Sequence, residues 1–67
     1  MNLVINGKSV EIDSSIQTVS ELLKSRDLHE KVVIVELNQE ILQKQDHEKA
    51  SLSEGDLLEI VSFVGGG

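Results

Sequence analysis

The chain ends in three consecutive glycines, Gly65 to Gly67, directly after an apolar segment typical of a β-strand. Its most accessible reactive group is therefore the main-chain carboxyl group of Gly67. This group has a pKa of about 3.5, so at neutral pH it is an anion that becomes an acyl electrophile only after a good leaving group is attached. Glycine has no Cβ, which lets such a tail enter a narrow enzyme channel. The alternative is a frayed terminus, which terminal glycines often form.

Side chains offer little comparable chemistry. The sequence contains no cysteine, so no disulfide can form and no thiolate ligand is available. His47 lies between Asp46 and Glu48 in a polar segment, and His29 is remote in sequence, so neither shows the spacing of a metal or acid–base site. We expect no bound cofactor, no metal, no catalytic residue and no enzymatic activity. We expect residues 43–49 to be solvated.

Length and charge restrict the class of protein further. Sixty-seven residues form one small domain, which buries only about 60% of the surface of its unfolded chain. A formal charge of −6 opposes binding to nucleic acid and favours basic protein surfaces. No apolar run approaches the roughly 20 residues of a membrane helix, and no signal peptide is recognisable. We expect a cytoplasmic protein that binds neither nucleic acid nor membranes.

The first half of the sequence predicts a β-hairpin and one helix. The Asn6-Gly7 pair between two short strands favours a type I′ turn, in which both central residues have positive φ. Thr18 and Glu21 have the spacing of a capping box, which predicts a helix that begins at Thr18 and ends near residues 26–27. Its apolar stripe consists of Val19, Leu22 and Leu23.

The second half predicts three more strands. Residues 32–37 are the strongest β-formers of the chain, and residues 41–42 can form a brief strand at the sheet edge. Residues 43–50 are predicted to form a surface loop with at most one helical turn, anchored by Leu52. Residues 53–56 then form a turn before the last strand.

This order of elements predicts an α+β fold with a mixed four- to five-stranded sheet and one main helix on one face. The first and last strands pair in parallel at the middle of the sheet, since the helix supplies the long crossover that parallel strands need.

The alternation of side chains along the strands assigns residues to the two faces. We expect the core to contain Leu3, Ile5, Val19, Leu22, Leu23, Val33, Val35, Leu37, Leu58, Ile60 and Val64. A second group is predicted on the uncovered face as a partner-binding cluster, namely Ile34, Leu57, Val61 and Phe63, with Val4 beside them. The alternative is that loops shelter both faces of the last strand.

Several segments in this order resemble the thiamine-biosynthesis sulfur carrier family, ThiS. They are Asn6-Gly7, Thr18-Val19 with Leu22-Leu23, Val35-Glu36-Leu37-Asn38, residues 55–61, and the terminal Gly66-Gly67. The resemblance spans the whole chain. It departs from the family at Gln39, where a glycine is common, and in the polar loop at Gln43-Lys44 and His47.

The resemblance implies a ubiquitin-like β-grasp domain over residues 1–64 and a flexible glycine tail over residues 65–67. It also implies that an activating enzyme adenylates Gly67 with its own ATP. The product becomes a covalent thiocarboxylate with sulfur from a donor protein, and thiazole synthase receives that sulfur.

Two related functions stay open at this stage. The small subunit of molybdopterin synthase uses the same terminal chemistry, although that family is longer and often has prolines before its glycines. A ubiquitin-type modifier or adaptor would join Gly67 to a lysine amine or leave it unused. The tail alone does not separate the thiamine and molybdopterin pathways.

Overall fold

A computed structural model describes residues 1–28 and 32–63. These residues form one five-stranded sheet with the strand order β2-β1-β5-β3-β4. The elements are β1 (Asn2–Ile5), β2 (Lys8–Glu11), α1 (Val19–Ser25), β3 (Val32–Leu37), β4 (Glu40–Leu42), a 3-10 turn (Lys44–Asp46) and β5 (Leu57–Phe63). The predicted order of elements, including the short edge strand and the single helical turn after it, is confirmed.

The central strand of the sheet is β5. It pairs in parallel with β1, where Val4 lies opposite Leu57, and antiparallel with β3, where Val61 lies opposite Ile34. The hairpin partner β2 and the short strand β4 form the two edges. The predicted parallel pairing of the first and last strands is therefore confirmed.

Two tight turns use left-handed backbone conformations. Asn6 and Gly7 have φ values of 51° and 82°, which confirms the positive φ values expected of the predicted turn. The turn between β3 and β4 has the same character, with φ values of 51° at Asn38 and 71° at Gln39. A side chain in this region costs roughly 1–2 kcal/mol, so Gln39 is strained at a position that would suit glycine.

The helix begins with the predicted capping box. The Glu21 N–H donates to Thr18 Oγ1 over 3.2 Å, and the Thr18 N–H donates to Glu21 Oε1 over 3.2 Å. The predicted stripe of Val19, Leu22 and Leu23 is buried. The chain then folds back, since the Leu28 N–H donates to the Leu23 carbonyl over 2.8 Å.

The core lies between α1 and the sheet face that the helix covers, here called the covered face. Its buried members are Leu3, Ile5, Ile12, Val19, Leu22, Leu23, Val35, Leu52, Leu58 and Ile60. Val33 and Leu37 are partly buried against it, so the predicted core is largely confirmed. The prediction for Val64 lies outside the described residues.

The segment after β4 differs from the sequence prediction. We expected residues 43–49 to be solvated, but His47 is buried with only 7% of its surface exposed. The Ser20 N–H donates to the His47 carbonyl over 2.8 Å, and the Val19 N–H donates to the Ala50 carbonyl over 3.0 Å. The first turn of a helix leaves N–H groups without partners inside the helix. The segment after β4 supplies carbonyl acceptors for two of these N–H groups. These hydrogen bonds hold the segment against α1.

Within residues 1–28 and 32–63, no helix has the length and apolar character required to cross a membrane.

Candidate functional site

The candidate site combines the C-terminal glycines with the strand that leads to them. Gly65, Gly66 and Gly67 lie outside the described residues, so their predicted roles stay predictions. The last described residue, Phe63, is the end of β5 and lies opposite Val32 of β3. The strand that precedes the glycines is thus paired with a neighbour along its described length.

Two asparagine side chains form hydrogen bonds with the backbone of β5, in addition to the pairing of β5 with its neighbouring strands. The Ile60 N–H donates to Asn6 Oδ1 over 2.8 Å, and Asn6 Nδ2 donates to the Ile60 carbonyl over 3.1 Å. At the start of the strand, the Leu57 N–H donates to Asn38 Oδ1 over 3.0 Å. The sequence indicated Asn6 and Asn38 only as turn residues. Their bonds to β5 depend on contacts between distant parts of the chain.

The sheet face opposite the helix, here called the open face, exposes the predicted apolar residues. Ile34, Leu57, Val61 and Phe63 are 44%, 49%, 51% and 52% exposed, respectively, and Val4 is half-buried. Their predicted exposure is confirmed, and the alternative in which loops shelter both faces of the strand is wrong. The partner-binding role of these residues stays a prediction.

The pairing of the strands places these exposed residues in two groups, one at each end of β5. Val61 lies opposite Ile34, and Phe63 lies opposite Val32, which is also exposed. These four residues, here called the apolar cluster, occupy the end of the sheet from which the glycine tail continues. Leu57 lies at the other end of the strand beside Val4. Val32 is not among the residues predicted from the sequence to form the partner-binding cluster.

A pair of like charges borders the apolar cluster. Glu36 of β3 lies directly opposite Glu59 of β5, and Ile41 lies on the other side of Glu36. Like charges in this position are destabilising. Among the described residues, the recorded ion pair is between the Met1 ammonium and Glu11, and neither Glu36 nor Glu59 takes part in it. The open face therefore presents apolar surface together with uncompensated negative charge.

No second chemical centre appears among the described residues. None of them form a group of three histidine, cysteine or acidic side chains suited to hold a metal ion. Burial lowers the pKa of His47 from its ordinary value of 6.5, the Lys44 charge lowers it further, and the Asp46 charge opposes this change. The imidazole is therefore neutral at pH 7.

Comparison with known proteins identifies the family. The family model that matches residues 3–67 is that of the ThiS family. The chain belongs to the ThiS family. The match covers nearly the whole chain and includes the terminal glycines. The resemblance seen in the sequence is thus confirmed.

The relatives agree with this assignment. The chain is 45% identical over 65 residues to the sulfur carrier protein ThiS of Bacillus subtilis, covering 97% of this chain and 98% of that protein. It is 42% identical over 67 residues to a thiazole synthase of Paramagnetospirillum magneticum, of which it covers 20%. The crystal structure of a thiamine biosynthesis protein (ThiS) from Geobacter metallireducens superimposes with a TM-score of 0.81 at 36% identity, over 100% of both chains.

Family membership settles the fold and the broad function. The mixed sheet with one helix is the ubiquitin-like β-grasp fold of its structural relatives. The chain is a sulfur carrier of thiamine biosynthesis, and such proteins are small carriers rather than enzymes. The thiamine pathway is thereby favoured over the molybdopterin pathway.

Proposed function

We propose that sulfur is carried on the main-chain carboxyl group of Gly67. A carboxylate oxygen of Gly67 attacks the α-phosphorus of ATP, pyrophosphate leaves, and an acyl adenylate forms. The terminal sulfur of a persulfide on a donor protein then attacks the acyl carbon, and AMP leaves with the electrons of the broken C–O bond, which gives an acyl disulfide. A partner thiol attacks the donor's sulfur of that disulfide and forms a protein disulfide with it, and the thiocarboxylate of Gly67 leaves with the electrons of the broken S–S bond. The observation that carries this proposal is the family match that extends through Gly67, in a chain without cysteine.

The chemical groups that the chain contains determine which steps the carrier and the activating enzyme each perform. Carboxylate activation requires ATP, and the glycines lie after a strand and not before a helix that could bind phosphate. An activating enzyme therefore supplies the nucleotide, and the carrier is its co-substrate. In this proposal residues 1–64 form the folded domain and residues 65–67 form the flexible tail. Gly65 and Gly66 give a slender connection that enters the enzyme.

Thiazole synthase is the proposed recipient of the sulfur. Support comes from the Paramagnetospirillum relative, in which a segment similar to this whole chain makes up 20% of a protein named thiazole synthase. Joining two polypeptides raises their effective concentration for each other, as is useful when one hands a group to the other. We place these reactions in the cytoplasm, where ATP is available.

The open face is the proposed docking surface for the activating enzyme. Its residues Ile34, Leu57, Val61 and Phe63 are about half exposed, and apolar surface of this kind marks protein contacts. The apolar cluster adjoins the end of β5, so an enzyme that binds it is positioned to receive the tail. Glu36 and Glu59 add negative charge, which a basic group of the enzyme would neutralise.

Intact-mass spectrometry tests the terminal chemistry. The purified chain is incubated with the activating enzyme, ATP and a sulfur donor. We expect replacement of one oxygen by sulfur at Gly67, located by fragmentation of the C-terminal peptide. A terminus that stays a plain carboxylate under conditions that modify the Bacillus relative would refute the proposal. Conjugation to a lysine amine would instead establish a modifier.

A truncated chain supplies the control. Deletion of Gly67 leaves all described residues unchanged, so we expect an unaltered amide spectrum and complete loss of AMP-dependent activation. Normal activation of the truncated chain would show that Gly67 is not the reacting residue.

A further inference from the structure

The two sides of the central strand β5 are paired over different lengths. On the side of β3 the pairing extends from Leu58 to Phe63. On the side of β1 it covers Leu57 and Leu58, because β1 ends at Ile5 and the chain then turns into β2. Among the described residues, the second half of β5 therefore has a neighbouring strand on one side only.

Hydrogen bonds show in which direction the main-chain groups of β5 point. In an antiparallel pair of strands, every second residue exchanges hydrogen bonds with the residue opposite. The Asn38 N–H donates to the Leu57 carbonyl over 2.8 Å, so Leu57 and every second residue after it point their N–H and C=O groups toward β3. The residues between them point theirs toward β1, as Leu58 does when its carbonyl accepts from the Asn6 N–H over 2.8 Å. Ser62 belongs to this second group.

The Asn6 side chain ends the pairing between β1 and β5. It forms hydrogen bonds with both main-chain groups of Ile60, where the next residue of a longer β1 would otherwise do so. Ser62 is the following residue on that side, and it is exposed. Within residues 1–28 and 32–63, its main-chain groups take part in no turn, loop or side-chain hydrogen bond. The N–H and C=O of Ser62 are here called the free edge of β5.

A free edge of this kind is suited to an extended segment of another protein. Such a segment adds a strand to the sheet, and its main-chain hydrogen bonds provide affinity. The glycines that follow β5 in the sequence have no side chains, so a partner that accepts them recognises main-chain groups. Side chains alternate along an added strand. One row of them would lie on the open face, beside Val61 and Phe63 of the apolar cluster.

The charge of the protein favours a different protein over a second copy of this chain. Each copy has a formal charge of −6, so two copies repel each other. Glu36 and Glu59 lie on the open face next to the apolar cluster and would add to this repulsion. An extended segment with apolar residues at alternate positions and a basic residue at one end complements both features.

We propose that an extended segment of the activating enzyme pairs with the free edge of β5, accepting a hydrogen bond from the Ser62 N–H and donating one to the Ser62 carbonyl. This inference rests on the activating enzyme as the partner in the proposed function, and it adds a main-chain contact to the apolar contacts of the open face. The added strand lies where a longer β1 would continue. The end of β5 is then paired on both sides, which fixes the direction in which the tail enters the enzyme.

Ser62→Pro tests the main-chain contact. Proline has no N–H, and its ring occupies the space beside the strand. It is tolerated where a strand does not use its N–H in the sheet, so we expect the pairing with β3 to be retained. The affinity for the activating enzyme, measured by calorimetry without ATP, should fall about tenfold through the loss of main-chain hydrogen bonding. The matched control Ser62→Ala keeps the N–H and should change the affinity by less than about twofold.

Hydrogen exchange of the Ser62 amide gives a second measurement, which needs no variant. In the free chain we expect this amide to exchange rapidly, because its N–H points away from β3. The Val61 amide, which points toward β3, should exchange more slowly in the same sample. Binding of the activating enzyme should slow the exchange of Ser62 at least about tenfold, as expected when an exposed amide enters a stable hydrogen bond.

Three results would overturn the proposal. Ser62→Pro could bind as tightly as the parent chain, or Ser62→Ala could lose as much affinity as Ser62→Pro. The Ser62 amide could also be protected in the free chain already, and protection that rises with protein concentration would assign the free edge to a second copy. Amide spectra show whether each variant is folded, and the exchange measurement decides if Ser62→Pro is not.

The terminal chemistry is judged separately, because neither the affinity nor the exchange measurement requires ATP. A parent chain that binds with a protected Ser62 amide but is never modified at Gly67 would contradict the proposed function and support the contact at the free edge. A parent chain that is modified at Gly67 while Ser62 stays unprotected in the complex would do the reverse.

Discussion

The two faces of the sheet are built from the same strands and from similar apolar residues, yet only one face is covered. Leu57 and Leu58 are neighbours on β5. Leu58 points into the core and is 1% exposed, whereas Leu57 lies on the open face and is about half exposed. Because side chains alternate along a strand, every strand contributes to both faces.

The difference shows that apolar residues of this small protein lie in two different environments. On the covered face they are removed from water and stabilise the fold, at about 25 cal/mol for each Å² of apolar surface buried. On the open face much of that stabilisation is not realised in the free carrier. In the proposed complex, it would become available when the activating enzyme covers the apolar cluster.

The largest expected effect contrasts the two leucines. Leu58→Ala removes a buried side chain and should lower the free energy of unfolding by about 2–5 kcal/mol, a large share of the stability of a domain this small. Leu57→Ala, the matched control, should lower it by less than about 1 kcal/mol, because its side chain is already half exposed. Urea unfolding followed by circular dichroism measures both. Equal losses would show that the open face is as important for stability as the covered face.

The second prediction concerns binding to the activating enzyme. Phe63→Glu places a charge in the apolar cluster and should weaken binding at least about tenfold, the effect typical of a central interface residue. Its unfolding free energy should fall by less than about 1 kcal/mol. Calorimetry with the activating enzyme measures the affinity.

Ile41→Glu is the control for this variant, since Ile41 is also exposed, at 65% against 52% for Phe63, but lies on the edge strand β4 and outside the apolar cluster. We expect a smaller loss of affinity from it than from Phe63→Glu. If Phe63→Glu reduced stability and affinity together, Phe63 would belong to the core and not to the docking surface.

The third prediction tests the buried histidine on the helix side. The pKa of His47 is lowered in the folded state, so the unfolded chain binds its proton more readily. Above pH 6.5 this difference does not lower the free energy of unfolding. As the pH falls from 6.5 through the lower pKa of the folded state, protonation of His47 in the unfolded chain makes the folded protein progressively less stable. His47→Leu removes the titratable imidazole together with its unpartnered Nε2 atom. It should raise the free energy of unfolding at pH 7 by about 1 kcal/mol.

Urea unfolding between pH 5 and 8 compares the two proteins. The stability of the His47→Leu variant should depend less on pH over this range than that of the parent chain. His29→Gln, which removes the other histidine of the sequence, should retain the pH dependence that we assign to His47. If the pH dependence disappeared with His29 instead, the assignment would be wrong.

The smallest expected effect concerns the paired glutamates on the open face. Glu59→Gln removes one of two like charges and should raise stability by about 0.2–1 kcal/mol. It should also weaken binding to the activating enzyme if that enzyme contacts the pair with a basic group. Glu40→Gln is the control, because Glu40 lies opposite Leu37 and not opposite an acid. A stabilised variant with undiminished affinity would exclude the pair from the docking surface.

Much of the fold could be predicted from local patterns. The capping box at Thr18 and Glu21 and the Asn6-Gly7 turn each involve residues close together in the sequence, so the pattern itself contains the interaction. The faces of β3 and β5 follow from alternation, which is why the exposure of Ile34 and Phe63 was predicted. The candidate tail residue Gly67 is likewise recognised from the sequence, although it lies outside the described residues.

The features that were missed depend on pairs of residues far apart in the chain. Composition placed His47 in a solvated segment, because residues 43–49 are mostly polar. Its burial depends on hydrogen bonds from the start of α1, including the one between Ser20 and His47. The bonds from Asn6 to Ile60 are similarly distant, and no local pattern indicates them.

The sequence by itself determined the strands, the helix and its beginning, the alternation that creates an open face, and the terminal glycines that point to carboxyl chemistry. These properties depend on backbone preferences and on neighbours within a few residues. The tertiary structure decided that Glu36 lies opposite Glu59, that His47 is buried, and that the Asn6 side chain forms hydrogen bonds with Ile60. Each of these depends on strand register or on packing between distant segments, because they are fixed only when the whole chain folds around one core.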